Sequence, residues 1–368
     1  MHRLSSLSLC IAVSAFAVAI APAAEAAAQR TFVASNGLPG NTAFNCSIAK
    51  PCRAFSDAIG VTNSGGEVVV LDTAGYGSVT ITKSVSLIAP SGIYAGISVF
   101  SGSDGVTVNA PGAIVVLRGL SINGQGGNRG IFLQAGARVR IENCVVSGMG
   151  VAGISHNAAG AEMIVLDTIV RDNLGSGVAV VGDLVYAVLD HVRSEHNGGD
   201  GFSFAPTSGS IGALATVVDS VFTHNDGKGI GAATLAGATI TIVVERSAMS
   251  SNGQDGFAAT AGAGVAVVML TRNAINDNGG NGVWIQGDTD AAASENAVHR
   301  NSGAGIFRDV IPGTTFQTRL SANTIHANLQ GDLKCDNPVP VILSLGNNIA
   351  HSINEVGGCY AKNASFGD

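Results

Sequence analysis

The sequence predicts an all-β repeat protein, a parallel β-helix built as one domain, and three observations support this fold class. The first is a recurring phrase of a polar turn, a glycine and an apolar strand, as in Asp200-Gly201-Phe202. Ten glycines mark this phrase at intervals of 23 to 28 residues: Gly105, Gly130, Gly153, Gly177, Gly201, Gly229, Gly256, Gly282, Gly305 and Gly331. A unit this short cannot bury its own apolar face, so its copies must stack on one another.

The second observation is the alternation of side chains after each glycine. Val178 and Val180 flank Ala179, so the two valines are expected to point into a shared core. Each unit continues with a second apolar strand and a shorter third strand. Leucine-rich repeats need a leucine skeleton and propellers need longer units, so a parallel β-helix is the fold that remains.

The third observation is composition. The chain of 368 residues has 50 glycines, 12% charged residues and 5% aromatic residues, whereas an average domain is about a quarter charged. A composition this rich in small residues favours stacked strands and turns. The formal net charge is −7 and no basic cluster occurs, so nucleic acid is not an expected partner.

An asparagine recurs a few residues before most of these glycines and predicts tight, stacked turns. The row consists of Asn173, Asn197, Asn225, Asn252, Asn278, Asn301 and Asn328. Asparagine tolerates the left-handed backbone conformation and hydrogen-bonds its own turn. We therefore assign this row to turn construction rather than to a functional site.

The N-terminal segment has the pattern of a secretory signal peptide. Residues 1–28 combine Arg3, an apolar run over residues 7–20 and small residues around Ala26. The mature chain is therefore expected to be exported, to the periplasm or outside the cell. No other segment is apolar and long enough to be expected to span a membrane.

The open end of a β-helix exposes backbone and apolar groups, so a cap is expected there. Residues 52–62 predict a short amphipathic helix, and residues 68–71 predict the first strand after it. The predicted organisation is an N-terminal cap and first strand at 29–75, a β-helix at 76–350 and a C-terminal cap or tail at 351–368.

Export makes disulfides permissible, and five cysteines follow the signal peptide. Proximity in the sequence pairs Cys46 with Cys52 and Cys335 with Cys359. Cys144 lies inside a repeat, where a buried and unreactive thiol is expected.

These motifs resemble those of the pectin lyase-like superfamily of right-handed parallel β-helix repeat proteins. The likeness covers nearly all of the mature chain, from residues 31–33 and 51–55 through Gly75-Tyr76-Gly77 to the Asn and Gly repeats. It implies a single-stranded, right-handed parallel β-helix (solenoid) with an N-terminal helical cap. Members include pectate lyases, polygalacturonases, alginate epimerases and phage tailspikes, so the resemblance implies a polysaccharide ligand and leaves the activity open.

The signatures of the well-marked enzyme families are missing from the sequence. Polygalacturonase-like chains carry an adjacent Asp pair, Gly-His-Gly and Arg-x-Lys, and alginate epimerases carry Asp-Pro-His-Asp; none of these motifs occurs here. The calcium-binding repeat Gly-Gly-x-Gly-x-Asp is also absent. Residues 279–282 match its first four positions, but Val283 and Trp284 follow, and Trp284 stands where the repeat needs an Asp. Whether the chain is an enzyme therefore stays undecided.

Four carboxylates are predicted to form one row at the end of the second strand. Glu142, Asp167, Asp190 and Asp219 would lie on consecutive coils, about 4.8 Å apart. A solvated ladder relieved by nearby Arg and His side chains is one interpretation of this row. A Ca²⁺ ion bound by Asp167, Asp190 and Asp219 is a second, and sugar binding or catalysis is a third. No other cofactor is expected.

Two further groups are candidates for binding. Trp284 and Phe307 point outward by the alternation and lie on adjacent coils, where they form either a stacking platform for a sugar ring or a packing surface for a C-terminal loop. Asp200, Lys228 and Asp255 precede the glycine on consecutive coils, and their alternating charges predict an exposed salt-bridge ladder.

The second strand is apolar on both faces, although a solvated face should alternate with polar residues. This predicts an outward apolar stripe made of Val165, Val188, Val217, Val243 and Met269. The stripe is expected to be covered by a loop, by a second subunit in a homo-oligomer or by a cell-surface partner. The alternative is that β-branched residues simply suit any strand.

The sequence therefore predicts an exported β-helix protein that binds polysaccharide or acts as a surface scaffold. The alternative function is a polysaccharide lyase, glycoside hydrolase or epimerase that acts on an acidic glycan through the row from Glu142 to Asp219.

Overall fold

The computed structural model describes residues 28–207, 209, 211–235, 237–311, 313, 316–336, 342–355 and 360–362. The chain winds into about 11 turns of an all-β solenoid, and the paired strands in the described part of the chain run parallel to one another. Each turn contributes one strand to each of three faces, which we name sheets 1, 2 and 3. The predicted signal peptide lies almost entirely outside the described residues, as does most of the predicted C-terminal tail.

Sheet 1 contains the strands that follow the repeated glycine: Val79–Ile81, Asp104–Asn109, Arg129–Ala135, Ala152–His156, Ser176–Val180, Phe202–Phe204, Ile230–Thr234, Ile306–Asp309, Leu333–Cys335 and Ile353–Glu355. Sheet 2 contains Ala28–Val33, Thr62–Val70, Val85–Ile88, Ile114–Arg118, Arg138–Glu142, Glu162–Leu166, Tyr186–Asp190, Ile211–Val218, Thr239–Glu245, Thr318–Ser321, Ile342–Ser344 and Tyr360–Lys362. Strands Phe257–Thr271 and Val283–Ser294 run through both sheets, which makes them one 24-stranded sheet.

Sheet 3 has 12 short strands: Ala74–Gly75, Ala95–Phe100, Leu120–Gln125, Val145–Ser147, Ile169–Arg171, Arg193–Glu195, Val221–Thr223, Ala248–Ser250, Ala274–Asn276, Ala297–His299, Thr324–His326 and Ile349–Ala350. The core lies between the three sheets and is filled by alternate residues of each strand. Val178 and Val180 are fully buried there, as the alternation predicts.

The predicted N-terminal helical cap is present. A 3₁₀ helix at Pro39–Phe44 and an α-helix at Phe55–Val61 precede the first complete coil. The α-helix buries Phe55, Ala58 and Ile59, and the predicted disulfide between Cys46 and Cys52 is formed beside it. The strand after the helix, Thr62–Val70, begins earlier than predicted.

The repeated glycine is required by close packing rather than by a left-handed turn. A Cβ added to Gly177 would lie 2.1 Å from the Ser194 Oγ and 2.8 Å from the carbonyl oxygen of Gly201 on the next coil. The glycine therefore lets the first strand approach the third strand of its neighbour. The prediction that Gly331 is the repeated glycine of the tenth unit is wrong. Ile306 pairs with Leu333, so Asp332 is the residue in register with Gly305.

The asparagine row forms a buried ladder along the turn between sheets 3 and 1. Each side-chain amide donates to the carboxamide oxygen of the next member over 2.8 to 3.0 Å. The prediction of stacked turns is thus confirmed, but the left-handed residue is the one before the asparagine, such as His196 with φ of 53°. The asparagine side chain points inward, where its amide group forms the hydrogen bonds of the ladder.

The predicted apolar stripe is wrong in two of its five members. Val165 and Val217 are fully buried in the core, because Glu162–Leu166 aligns Ile164, not Val165, with Val188. The outward row in register is Ile164, Val188, Thr216, Val243 and Met269. Because adjacent coils differ in loop length, the alignment of coils by sequence spacing was wrong by one residue at Val165 and Val217. An error of one residue exchanges the inward and outward faces of a strand.

Candidate functional site

The outer face of sheet 1 carries a row of small side chains between aromatic residues. In register from the N-terminal side, the row reads Thr107, Phe132, Ser155, Ala179, Ser203, Gly231, Ala258, Trp284, Phe307 and Lys334. Five consecutive coils between Phe132 and Trp284 thus carry only small residues, of which Ala179, Ser203 and Gly231 are partly exposed and Ser155 and Ala258 are buried. At a strand spacing of about 4.8 Å, this stretch, which we name the outer trough, is about 29 Å long.

The C-terminal end of the outer trough is a concave site. A cavity of about 100 Å³ is lined there by Asp200, Ser203, Lys228 and Trp284, with Gly231 as part of its floor. A Cβ on Gly231 would lie 2.6 Å from a carboxylate oxygen of Asp200, so the cavity depends on that glycine. The site combines an indole, a hydroxyl, a carboxylate and an ammonium group, which are the groups that bind sugar hydroxyls and ring faces.

Aromatic rings stand at both ends of the outer trough. Trp284 and Phe307 are register partners on adjacent strands, as predicted, and the Lys334 Nζ lies 4.6 Å from the Phe307 ring centre. At the other end the Arg129 guanidinium carbon lies 4.4 Å from the Phe132 ring centre. The Trp284 Nε1 is buried and has no hydrogen-bond partner among the described residues, so its donor is unsatisfied.

The predicted salt-bridge ladder of Asp200, Lys228 and Asp255 is wrong, because the two carboxylates bind backbone N–H groups and not the lysine side chain. Among the described residues Lys228 makes no ion pair; instead the Asp200 carboxylate accepts the Lys228 backbone N–H over 2.8 Å. In the same way Asp255 accepts the Asn281 backbone N–H over 2.7 Å. The carboxylates therefore satisfy main-chain donors of the next coil, and the Lys228 ammonium stays available at the cavity.

The four predicted carboxylates do not form one row. Glu142 and Asp190 are the last residues of their strands in sheet 2, whereas Asp167 and Asp219 are left-handed turn residues with φ of 47° and 48°. The register places Leu166 beside Asp190, so the carboxylates alternate between two neighbouring rows. The prediction of a single row was wrong because the loops of successive coils differ in length, so the sequence spacing does not show that Asp167 and Asp219 lie one residue beyond the row of Glu142 and Asp190.

Two of these carboxylates, Glu142 and Asp219, are neutralised by arginines of the chain. Glu142 accepts from Arg118 over 2.6 Å and from Arg140. Burial alone would raise the pKa of Glu142, but the hydrogen bonds and charges of the two guanidinium groups outweigh it and lower that pKa. Asp219 accepts two bonds of 2.9 Å from Arg246, which lowers the pKa of its carboxyl group.

The Asp190 carboxylate is hydrogen-bonded to the side chain of the next residue, His191. The His191 Nδ1 and the Asp190 Oδ1 lie 2.6 Å apart, and this hydrogen bond raises the pKa of His191. One ligand atom from each of Asp190, His191 and Asp219 lies within 4.8 Å of the others. The predicted calcium site at Asp167, Asp190 and Asp219 stays a prediction, and a metal there would compete with His191 and Arg246.

The structure separates the predicted site residues into two places. Trp284 and Phe307 lie on the outer face of sheet 1, whereas the carboxylates lie at the end of sheet 2 and in its turn to sheet 3. The two groups therefore cannot act on one ligand unit. Sequence reasoning missed Phe132, Arg129 and Lys334, although the alternation that exposed Trp284 also places Phe132 and Lys334 outward.

Comparison with known proteins agrees with this architecture. The family model described as "Right handed beta helix region" matches residues 40–243 and 200–366. The chain belongs to the right-handed β-helix family. A search of curated proteins gives no match.

Solved structures show the same right-handed β-helix fold. The A-module of the mannuronan C-5 epimerase AlgE4 of Azotobacter vinelandii is 18% identical, with a TM-score of 0.59 over 79% of this chain and 88% of that one. The Dettilon tailspike protein is 12% identical, with a TM-score of 0.61 over 88% and 68% of the two chains. The catalytic domain of a GH87 alpha-1,3-glucanase in complex with nigerose is 11% identical, with a TM-score of 0.51 over 86% and 68%.

The described cysteines of this β-helix lie in its core. Cys144 is free and buried, and burial raises the pKa of its thiol to about 11, as expected for an unreactive cysteine. Cys335 is buried, and Cys359 lies outside the described residues, so their pairing stays a prediction. No helix in the described part of the chain is long and apolar enough to cross a bilayer.

Proposed function

We propose that this protein is an exported polysaccharide-binding protein that holds an extended glycan along the outer trough. The observation that carries the proposal is the run of small residues on five consecutive coils, with the partly exposed Ala179, Ser203 and Gly231 at its centre, which leaves a shallow path between two aromatic rings. Trp284 supplies a ring face on which a pyranose stacks, and the Phe307 ring beside it carries the Lys334 ammonium group. The mannuronan C-5 epimerase module and the alpha-1,3-glucanase domain, whose names refer to glycans, share this fold and so support a glycan ligand.

The charges at the outer trough favour an acidic glycan. Lys228 and Lys334 make no ion pair among the described residues, whereas most described arginines pair with carboxylates elsewhere on the surface. The Lys228 ammonium group lines the cavity and the Lys334 ammonium group lies over the Phe307 ring, and both are suited to pair with uronate carboxylates. Binding is therefore expected to weaken as the salt concentration rises.

The experiment is a glycan array probed with the secreted chain, with and without Ca²⁺, and with two variants. Trp284→Ala is expected to weaken binding about tenfold, because one lost stacking contact is worth about 1.4 kcal/mol. Phe100→Ala is the matched control, since Phe100 is a 64% exposed aromatic residue on sheet 3, away from the outer trough. Absence of any retained glycan, or an equal loss in both variants, overturns the proposal.

A second candidate, catalysis on the same glycan, is favoured by one observation. Asp200 and Lys228 line the cavity beside Trp284, and burial raises the pKa of the neighbouring Asp255 carboxyl group. The residues from Glu142 to Asp219 suit catalysis less well, because arginine and histidine already engage three of them. Turnover of mannuronan, polygalacturonate or α-1,3-glucan that is lost in both Asp200→Asn and Lys228→Met supports catalysis, and no turnover by the wild-type chain rejects it.

A further inference from the structure

The outer face of sheet 2 is an uncharged surface along its centre. The central row of five consecutive coils contains Ile164, Val188, Thr216, Val243 and Met269, and Met269 is 47% exposed. The flanking outward positions add further apolar side chains: Leu166, Tyr186, Leu214, Val218 and Val267. A contiguous apolar face of this extent is uncommon on a monomer and marks an interaction surface.

The charged groups of this face lie at its margins and already have partners. Glu162 pairs with Arg138, and at the C-terminal end Asp290 pairs with Arg319 over 2.6 Å. Glu245, on the edge toward sheet 3, pairs with Arg246. An apolar centre inside a polar rim is the anatomy of a protein interface, and covering it would bury no unpaired charge among these residues.

The size of the face meets the requirement of a stable dimer. The six strands from Glu162–Leu166 to Val283–Ser294, whose central row holds no charged residue, span about 29 Å at about 4.8 Å per strand, and five residues per strand span about 17 Å. The projected area is thus about 490 Å² per copy, or about 1,000 Å² for two copies, and Arg138 and Arg140 of the preceding strand lie outside it. A specific interface needs at least about 1,000 Å² in total.

We propose that this face binds the same face of a second copy of the chain, in a two-fold symmetric dimer. A second copy is the best-matched partner because side chains of packed sheets interdigitate only where strand spacing and twist agree along the whole face. Two identical sheets meet that condition over all six coils of this face. Two-fold pairs with self-complementary faces are also the commonest oligomers.

The test is the mass of the full chain in solution, measured by light scattering during gel filtration. The wild-type chain is expected to be a dimer, and Ile164→Lys and Val243→Lys are expected to weaken dimerisation at least tenfold by burying an unpaired ammonium group. The matched control is Ile169→Lys, which lies on the same coil but points outward from sheet 3 and is 36% exposed. Far-ultraviolet circular dichroism confirms that each variant is folded.

A monomeric wild-type chain overturns the dimer, as does a dimer that survives both sheet 2 substitutions or dissociates equally with Ile169→Lys. The glycan proposal is unaffected by these outcomes, because the outer trough lies on sheet 1. Conversely, a dimer that binds no glycan leaves the sheet 2 inference intact.

Discussion

Asn328 donates its side-chain amide to the Asp332 carboxylate over 3.1 Å, and this contact ends the asparagine ladder on a charged acceptor. Asp332 also accepts the backbone N–H groups of His351 over 2.8 Å and Ser352 over 3.1 Å. Burial would raise the pKa of Asp332, but these donors outweigh it and lower that pKa. The last unit thus replaces its glycine by the group that terminates the ladder and fastens the following turn.

Removal of that acceptor is expected to destabilise the C-terminal coils. Asp332→Ala removes an acceptor shared by the buried Asn328 amide and by the backbone N–H groups of the exposed His351 and Ser352, and should lower the free energy of unfolding by about 1.5 kcal/mol. Asp332→Asn keeps one carbonyl acceptor, so it should cost less than the alanine variant. Denaturant unfolding of the three proteins measures the order, and equal stability of wild type and Asp332→Ala would contradict this account.

Substitution of a repeat glycine should be costly at any coil. In Gly177→Ala the new methyl group would lie 2.1 Å from the Ser194 Oγ, so the strands must separate, which costs about 3 kcal/mol. Gly262→Ala is the control, because Gly262 has no atom within 4 Å of its added Cβ and no positive φ. Thermal melting of both variants is the measurement, and a similar melting temperature for the two would reject the packing explanation.

Acid is expected to destabilise the fold through His156. This side chain occupies an inward position of sheet 1, is fully buried, and burial lowers its pKa to about 4. Between pH 4 and about 6.5 the unfolded chain binds a proton that the folded chain excludes, so stability falls as the pH is lowered. The loss across this window is about 3 kcal/mol for a shift of this size.

His156→Leu provides the comparison, since leucine and valine occupy the equivalent positions Leu133 and Val180. The stability difference between wild type and variant should grow as the pH falls from 7 to 4. Unfolding curves at several pH values measure it, and parallel pH profiles for the two proteins would show that His156 does not titrate as expected.

Calcium binding should be limited by the ion pair at Asp219. Arg246 occupies both carboxylate oxygens, so Arg246→Gln frees a ligand beside Asp190 and should increase the rise in melting temperature produced by millimolar Ca²⁺. Arg272→Gln is the control, because Arg272 pairs mainly with Glu295 over 2.8 Å. If Ca²⁺ shifts none of the three proteins, the predicted calcium site is wrong.

Much of the fold followed from local patterns that need no knowledge of neighbouring coils. The alternation around Ala179 and Trp284 identified inward and outward residues within a single strand, and the Cys46 and Cys52 pairing followed from proximity. Patterns that join different coils were less reliable. Ile164 and Val188 lie side by side although they are 24 residues apart, whereas Asp190 pairs in register with Val218 at a separation of 28 residues.

The sequence by itself determined the repeating unit, the three strands of each coil and the need to stack, because a unit of about 25 residues cannot close a core alone. Only the tertiary structure decided which residues of neighbouring coils meet. Hydrogen bonding between strands sets that register, and loops of unequal length absorb the difference, so sequence spacing carries no record of it. The outer trough, the two carboxylate rows and the apolar face of sheet 2 are all products of this register.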